Sequence, residues 1–325
     1  MTASLIAAVV ALGVGDAAGQ VPHPKRDQMM AAAATMQAAS RALMSEKRAR
    51  GLLPPPEADP NDTGMIGYEY TNMTTTPGDL AAKRTATNPD FAAGLVRLLA
   101  TLDLADGTPV VLVMSGSFVG ADIAAIAAVE ALGLRPVIVV TPGTSMWGAN
   151  NPEFNLLDII SVLRARRLID ARVLASVIGG HGAVGGGMDP ASIVAVRGSA
   201  ERDGVKLVET PPLARIVDDL IDRIREGLAG EPAGAVVNVG GSLIGIGTCR
   251  ESYDLPSGLT KGLSACSAGT AGIAVRLASE GLPVLHVIDI ERLATDLGLP
   301  YDPVPLPAPG ANAAVYRTAV TTPAN

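Results

Sequence analysis

The sequence predicts an α/β fold: a doubly wound, mostly parallel sheet with glycine-rich βα loops, preceded by an N-terminal helix. Two observations carry this expectation. From Pro109 onward, short β-branched runs alternate with glycine-rich turns and longer helical stretches, the rhythm of parallel βαβ units. The chain is also 48% apolar yet holds only three Phe, one Trp and five Tyr, so its interior must be Ala, Val, Leu and Ile packed closely around glycine. Such small side chains suit stacked layers of strands and helices.

The chain opens on an apolar run from Ala3 to Gly15, shorter than the roughly 20 residues that span a bilayer and halted by Asp16. Residues 1–22 therefore read as a signal or anchor remnant. The Ala/Met-rich stretch from Asp27 to Arg50 reads as one long helix, with Lys47, Arg48 and Arg50 placed to meet the negative end of its dipole. Pro54-Pro55-Pro56 and Asp59-Pro60 then make Gly51 to Gly64 a stiff linker, so that residues 23–63 form a helix plus Pro-rich linker outside the domain proper.

Residues 64–307 read as the α/β domain. Its strands are expected at Pro109–Met114, Pro136–Val140, Arg172–Ile178, Ala235–Val239 and Pro283–Ile288. Helices are expected near Asp122–Leu132, Phe154–Arg166, Pro190–Asp203, Leu213–Leu228, Ala268–Glu280 and Ile290–Leu297. The Pro/Ala/Thr-rich residues 308–325 carry no periodic pattern and read as a disordered tail.

Charge and cysteines narrow the function. With 25 Lys+Arg against 32 Asp+Glu and no basic stripe, the chain is no general nucleic-acid binder. Cys249 and Cys266 lie outside any zinc-ligand spacing, so no metal site is expected. Their spacing leaves a disulfide open, with two free thiols the preferred reading. No Gly-x-x-x-x-Gly-Lys-Ser/Thr is present, and Gly240-Gly241-Ser242-Leu243-Ile244-Gly245-Ile246-Gly247 matches a dinucleotide fingerprint poorly, so no cofactor is expected.

Ligands of open α/β sheets bind beyond the carboxyl ends of the strands. There this sequence repeatedly places Gly with Ser, Thr or Asn. The expected ligand-binding residues are Gly116, Thr144, Ser145, Trp147, Asn150, Asn151, Asn238, Gly240, Gly241 and Ser242. Glycine lets the backbone approach a ligand, and Ser and Thr either bond that ligand or cap the following helix. For nucleophilic catalysis the candidates are Ser115 or Ser117 with His286 as base and Asp289 as its orienter, His181 being an alternative base. The Gly-x-Ser-x-Gly elbow is missing from Ser115-Gly116-Ser117-Phe118, and His286 is flanked by Leu285 and Val287, as a core histidine would be. The cluster Arg164, Arg166 and Arg167 reads as a solvated helix end able to meet a polyanion.

A further set of motifs runs along the chain: Gly64-Met65-Ile66-Gly67 to Tyr70, Thr74-Thr75-Thr76, Ala82-Lys83-Arg84-Thr85, Thr87-Asn88-Pro89 and Ser115-Gly116-Ser117-Phe118. It continues with Ser145-Met146-Trp147-Gly148-Ala149-Asn150-Asn151-Pro152-Glu153-Phe154, Val237-Asn238-Val239-Gly240-Gly241 and Pro283-Val284-Leu285-His286. Together these motifs, which cover residues 27–310, resemble one bacterial family, the poly-gamma-glutamate system proteins. Val119, Ala121 and Asp122 depart from the Pro, larger apolar residue and Asn expected after Ser117-Phe118. The resemblance implies an accessory role in synthesis or export of poly-gamma-glutamate, a capsular or released polyanion, alongside its amide ligase and membrane proteins. It implies a membrane-associated or cell-envelope location through the N-terminal segment. The loops would then bind glutamate-type carboxylates. The alternative is a serine-dependent hydrolase or transferase acting on gamma-glutamyl amide bonds. The family is named from its genomic setting, so the resemblance brings no catalytic residues with it.

Overall fold

The computed structural model describes residues 20–319. The apolar run Ala3 to Gly15 lies outside them, and none of the described helices is long and apolar enough to cross a membrane. In chain order the first elements are β1 (Gln20–Pro22), α1 (Arg26–Arg50), β2 (Thr74–Thr76), α2 (Leu80–Thr85), α3 (Pro89–Ala100), β3 (Pro109–Ser115), α4 (Val119–Ala131), β4 (Arg135–Thr141) and β5 (Thr144–Ser145). They are followed by α5 (Leu156–Ala165), β6 (Val173–Ser176), α6 (Pro190–Arg202), β7 (Lys206–Leu207), α7 (Leu213–Leu228), β8 (Ala235–Val239) and α8 (Leu243–Ile246). The chain closes with β9 (Gly258–Thr260), α9 (Ile273–Ser279), β10 (Val284–Val287), α10 (Ile290–Leu297) and β11 (Arg317–Ala319).

Seven strands form the central sheet in the order β7-β6-β4-β3-β8-β10-β9. All neighbours are parallel except β9, which runs antiparallel to β10 at one edge. Both faces are covered. Val110, Leu112 and Met114 of β3 point into one core with α1, α3, α4 and α10, whereas Val111 and Val113 point into the other with α7 and α9. This two-sided burial is why β3, β4 and β8 read as mostly apolar runs, interrupted in β8 by Asn238.

α4 is buried on nearly its whole circumference, eleven of its thirteen residues being inaccessible. It lies between β3 and an outer pair of helices, α1 and α3, and the Ala-rich sequence allows the close approach. At Gly120 a Cβ would sit 2.6 Å from the Ala86 carbonyl oxygen.

Three sequence expectations are corrected. Residues 23–63 are not an appendage: Met29, Ala32, Ala33, Met36, Ala39 and Leu43 of α1 belong to the main core cluster. The stiff segment that follows is pinned to the domain, because Asp59 accepts from Thr63 Oγ1 at 2.8 Å and from the Gly64 N–H at 2.7 Å, while Lys47 Nζ donates to the Ile66 carbonyl at 2.8 Å. Nor is 308–319 a disordered tail. Asp90, fully buried on α3, accepts from the Gly310 and Asn312 N–H groups, Asn312 Nδ2 and the Tyr316 hydroxyl, after which β11 pairs with β1. Residues 320–325 lie outside the described chain.

The cysteines are joined, Cys249 to Cys266, with their Cα atoms 5.7 Å apart. The segment between them folds back on itself, the Thr248 N–H donating to the Thr270 carbonyl at 2.8 Å, which brings two distant thiols together. The same turn delays α9: Gly269 adopts φ +92°, and the helix starts at Ile273 rather than Ala268.

Candidate functional site

From β3 the chain winds outward through α4 to β4, and from β8 it winds the other way to β10. The point between β3 and β8 is where an open α/β sheet leaves a crevice beyond its strands. A cleft of about 410 Å³ lies there. Its walls include Ser115 at the end of β3 and Ser117 just beyond it, Ser145 in β5 after β4, His181 after β6, and Gly241 and Ser242 after β8.

Most of the cleft hydroxyls serve the local backbone. Ser115 Oγ accepts from the Ser117 N–H at 3.3 Å, and Ser242 Oγ accepts from the Gly245 N–H at 3.3 Å, each capping a short helical turn. Ser117 Oγ accepts from the Ser145 N–H at 3.1 Å and so ties the loop after β3 to the one after β4.

Ser145 differs. Its Oγ lies 2.8 Å from Nζ of Lys83, a buried lysine on α2 that also donates to the Ser117 carbonyl oxygen. The ammonium stands 4.7 Å from the centroid of the Phe118 ring. Burial pushes the Lys83 amine down to about 7, against the opposing pull of Asp122 and Asp79. Room for this pairing depends on Gly78, where a Cβ would lie 2.9 Å from Lys83 Cε and 2.5 Å from the Met146 carbonyl oxygen. Behind the pair sits Asp122, fully buried, with Oδ1 accepting from the Ser115 N–H at 3.4 Å and Oδ2 without a hydrogen-bond partner among the described residues. Its carboxyl is raised well above the usual range by burial.

The triad of Ser115 or Ser117 with His286 and Asp289 is not assembled. His286 Nδ1 lies 2.9 Å from Asn238 Nδ2, which also donates to the Gly240 carbonyl at 2.9 Å. Since a carbonyl can only accept, the amide nitrogen must face Gly240, and His286 then accepts at Nδ1 and carries its proton on Nε2. Burial pushes this imidazole down to about 4, and among the described residues it bonds no serine hydroxyl. Asp289 caps α10 through the Arg292 N–H at 3.1 Å. His286 is thus the core histidine that its apolar neighbours suggested.

Of the expected ligand-binding residues, Ser145, Gly241 and Ser242 line the cleft. Gly116, Thr144, Asn238 and Gly240 stand behind it. The Gly116 carbonyl accepts from Ala149, the Thr144 carbonyl accepts from Thr75 Oγ1, and the Gly240 N–H reaches Val287. Asn150 is structural, its amide holding both backbone groups of Tyr68 while Nδ2 also reaches Thr74. Asn151 closes its own turn on the Glu153 N–H, and Trp147 faces a separate groove. His181 does reach the cleft, with Nδ1 3.1 Å from the Gly186 carbonyl oxygen.

Sequence reasoning missed Lys83. It stands in a short Ala-rich stretch with no periodic signal, 62 positions before the serine it meets, and only the tertiary fold brings them together. No family model, no curated protein and no solved structure matches this chain.

Proposed function

We propose that the chain is a serine-dependent acyl hydrolase or transferase in which Ser145 is the nucleophile and Lys83 its general base. One observation carries the reading: a lysine amine held near neutrality by burial lies 2.8 Å from a hydroxyl that opens on the cleft. Neutral Lys83 takes the Ser145 proton as Oγ bonds to the substrate carbonyl carbon. The oxyanion so formed needs donors, and the N–H groups of Gly180, Gly241 and Ser242 on the cleft wall have no protein acceptor among the described residues. On collapse the C–N or C–O bond breaks and the Lys83 ammonium protonates the departing amine or alcohol. Water, or an acceptor amine, then attacks the acyl-Ser145 ester, giving its proton to Lys83, and as the ester C–O bond breaks the Lys83 ammonium returns that proton to Ser145 Oγ, restoring the neutral amine.

The motif likeness to poly-gamma-glutamate system proteins directs the substrate toward gamma-glutamyl amides of that polymer. A purely carboxylate-binding accessory role has less support, because no Arg or Lys is among the cleft-lining residues and Lys83 is turned to Ser145.

A fluorophosphonate probe tests the chemistry without presuming the substrate. Purified protein should form one adduct, on the peptide containing Ser145, and lose it in Ser145→Ala and Lys83→Met while Ser115→Ala retains it. Folded protein that stays unlabelled, or is labelled elsewhere, overturns the proposal. Labelling at Ser145 without release of amine from gamma-glutamyl amides refutes the substrate class alone.

A further inference from the structure

We infer that the groove beside Trp147 binds an organic cation of the substituted-ammonium class. The turn that carries Ser145 into the cleft carries Trp147 into this second depression, about 390 Å³ in volume, whose walls include Pro55, Glu57, Tyr68, Glu69, Tyr70 and Trp147. The inference is independent of the chemistry proposed for Ser145.

Aromatic residues are scarce in this chain, yet its only Trp and two of its five Tyr converge here. None of the three is consumed by the core. Tyr70 is 70% exposed, and Tyr68 and Trp147 are half-buried. Their backbones are held in register, the Trp147 N–H donating to the Tyr68 carbonyl at 2.7 Å and the Gly67 N–H to the Trp147 carbonyl at 3.0 Å. The Tyr68 hydroxyl is anchored on the Leu53 carbonyl at 3.3 Å. Trp147 sits at φ +64°, a conformation costly for a bulky residue, so its presence in this turn is not a matter of backbone preference.

Charge decides what these rings face. Glu57 and Glu69 are exposed, and their carboxylates form no ion pair or side-chain hydrogen bond among the described residues. No Lys, Arg or His is among the groove-lining residues; neighbouring Arg84 pairs with Asp302 and donates from Nη1 to the Glu57 backbone carbonyl at 3.3 Å, without pairing to the Glu57 carboxylate. The aromatic side chains and carboxylates that line the groove therefore act in the same direction: both attract a positive charge, and aromatic rings favour one that sheds water readily. A substituted ammonium fits both requirements. A carboxylate would be repelled, and a neutral sugar would stack without using the charge.

Because Trp147 is the only Trp, its emission reports on this groove directly. The test titrates the full chain with choline and with its uncharged carbon isostere, 3,3-dimethyl-1-butanol, with line broadening of the choline methyl protons as a second readout. Choline should give a saturable emission change at least ~10-fold tighter than the isostere. The Glu57→Gln/Glu69→Gln double variant should lose most of that preference, and Tyr70→Ala should weaken both ligands. Fluorophosphonate labelling of Ser145 should persist in these variants, so that failure here and failure of the catalytic proposal are told apart. Equal binding of choline and isostere overturns the inference. So does a response unchanged in the Glu57→Gln/Glu69→Gln or Tyr70→Ala variants, or a glucose oligomer that shifts the emission where choline does not.

Discussion

The state of Lys83 is the most exposed point of the catalytic reading, and pH tests it. With its amine pushed down to about 7, Lys83 is about 9% neutral at pH 6, half neutral at pH 7 and almost wholly neutral at pH 9. Since only the neutral amine can take the Ser145 proton, the rate of fluorophosphonate inactivation should rise about fivefold from pH 6 to 7, about twofold more by pH 9, and then level. An ordinary lysine would instead give roughly a tenfold rise per unit through pH 9 without a plateau. Asp122 favours the charged amine, so Asp122→Asn should move the midpoint to lower pH. Lys83→Arg, which keeps a charge that cannot be shed, should lose at least ~100-fold in rate. Folding is the control. Lys83 is depressed in the folded chain, so the unfolded chain binds the extra proton between about pH 7 and 10.5, and stability falls as pH drops through that window. Lys83→Met removes this penalty and should be no less stable than the parent at pH 7. A rise without a plateau to pH 9, or full activity in Lys83→Arg, refutes the assignment of Lys83 as base.

Two further outcomes follow from buried groups. His286 falls from 6.5 to about 4 on folding, so between those values the unfolded chain is the better proton acceptor and stability should drop by ~3 kcal/mol as pH falls across the window. Urea unfolding should show that loss, and His286→Gln should flatten it. Asp90→Ala strips four donors of their acceptor and should cost ~3–5 kcal/mol, with hydrogen exchange rising first at residues 310–316; unchanged protection there would show that the C-terminal segment is held by other means.

The sheet was legible because its information is local. β3, β4 and β8 are buried on both faces, which writes each as a Val-rich, mostly apolar run, and the Gly/Ser loops at their carboxyl ends marked the correct edge of the sheet. Ser145, Gly241 and Ser242 were accordingly placed at the cleft. α3 was not assigned, although Asn88-Pro89 caps it, because the burial of nearly every face erases the polar stripe that marks a helix in sequence.

Sequence alone, then, determined the five inner strands of the central sheet and the turns that border them, since β-branching and glycine act over a few residues, whereas the short edge strands β7 and β9 carry no such signal. Tertiary structure alone decided which groups meet. Lys83 and Ser145 are 62 positions apart, Asp90 and Tyr316 are 226 apart, and the two cysteines are joined by a fold-back that their spacing does not encode. Burial, too, is a property of the assembled core. It turns Lys83 toward a base and His286 toward an inert neutral ring, and no local pattern distinguishes a lysine destined for water from one that will be closed in beside a serine.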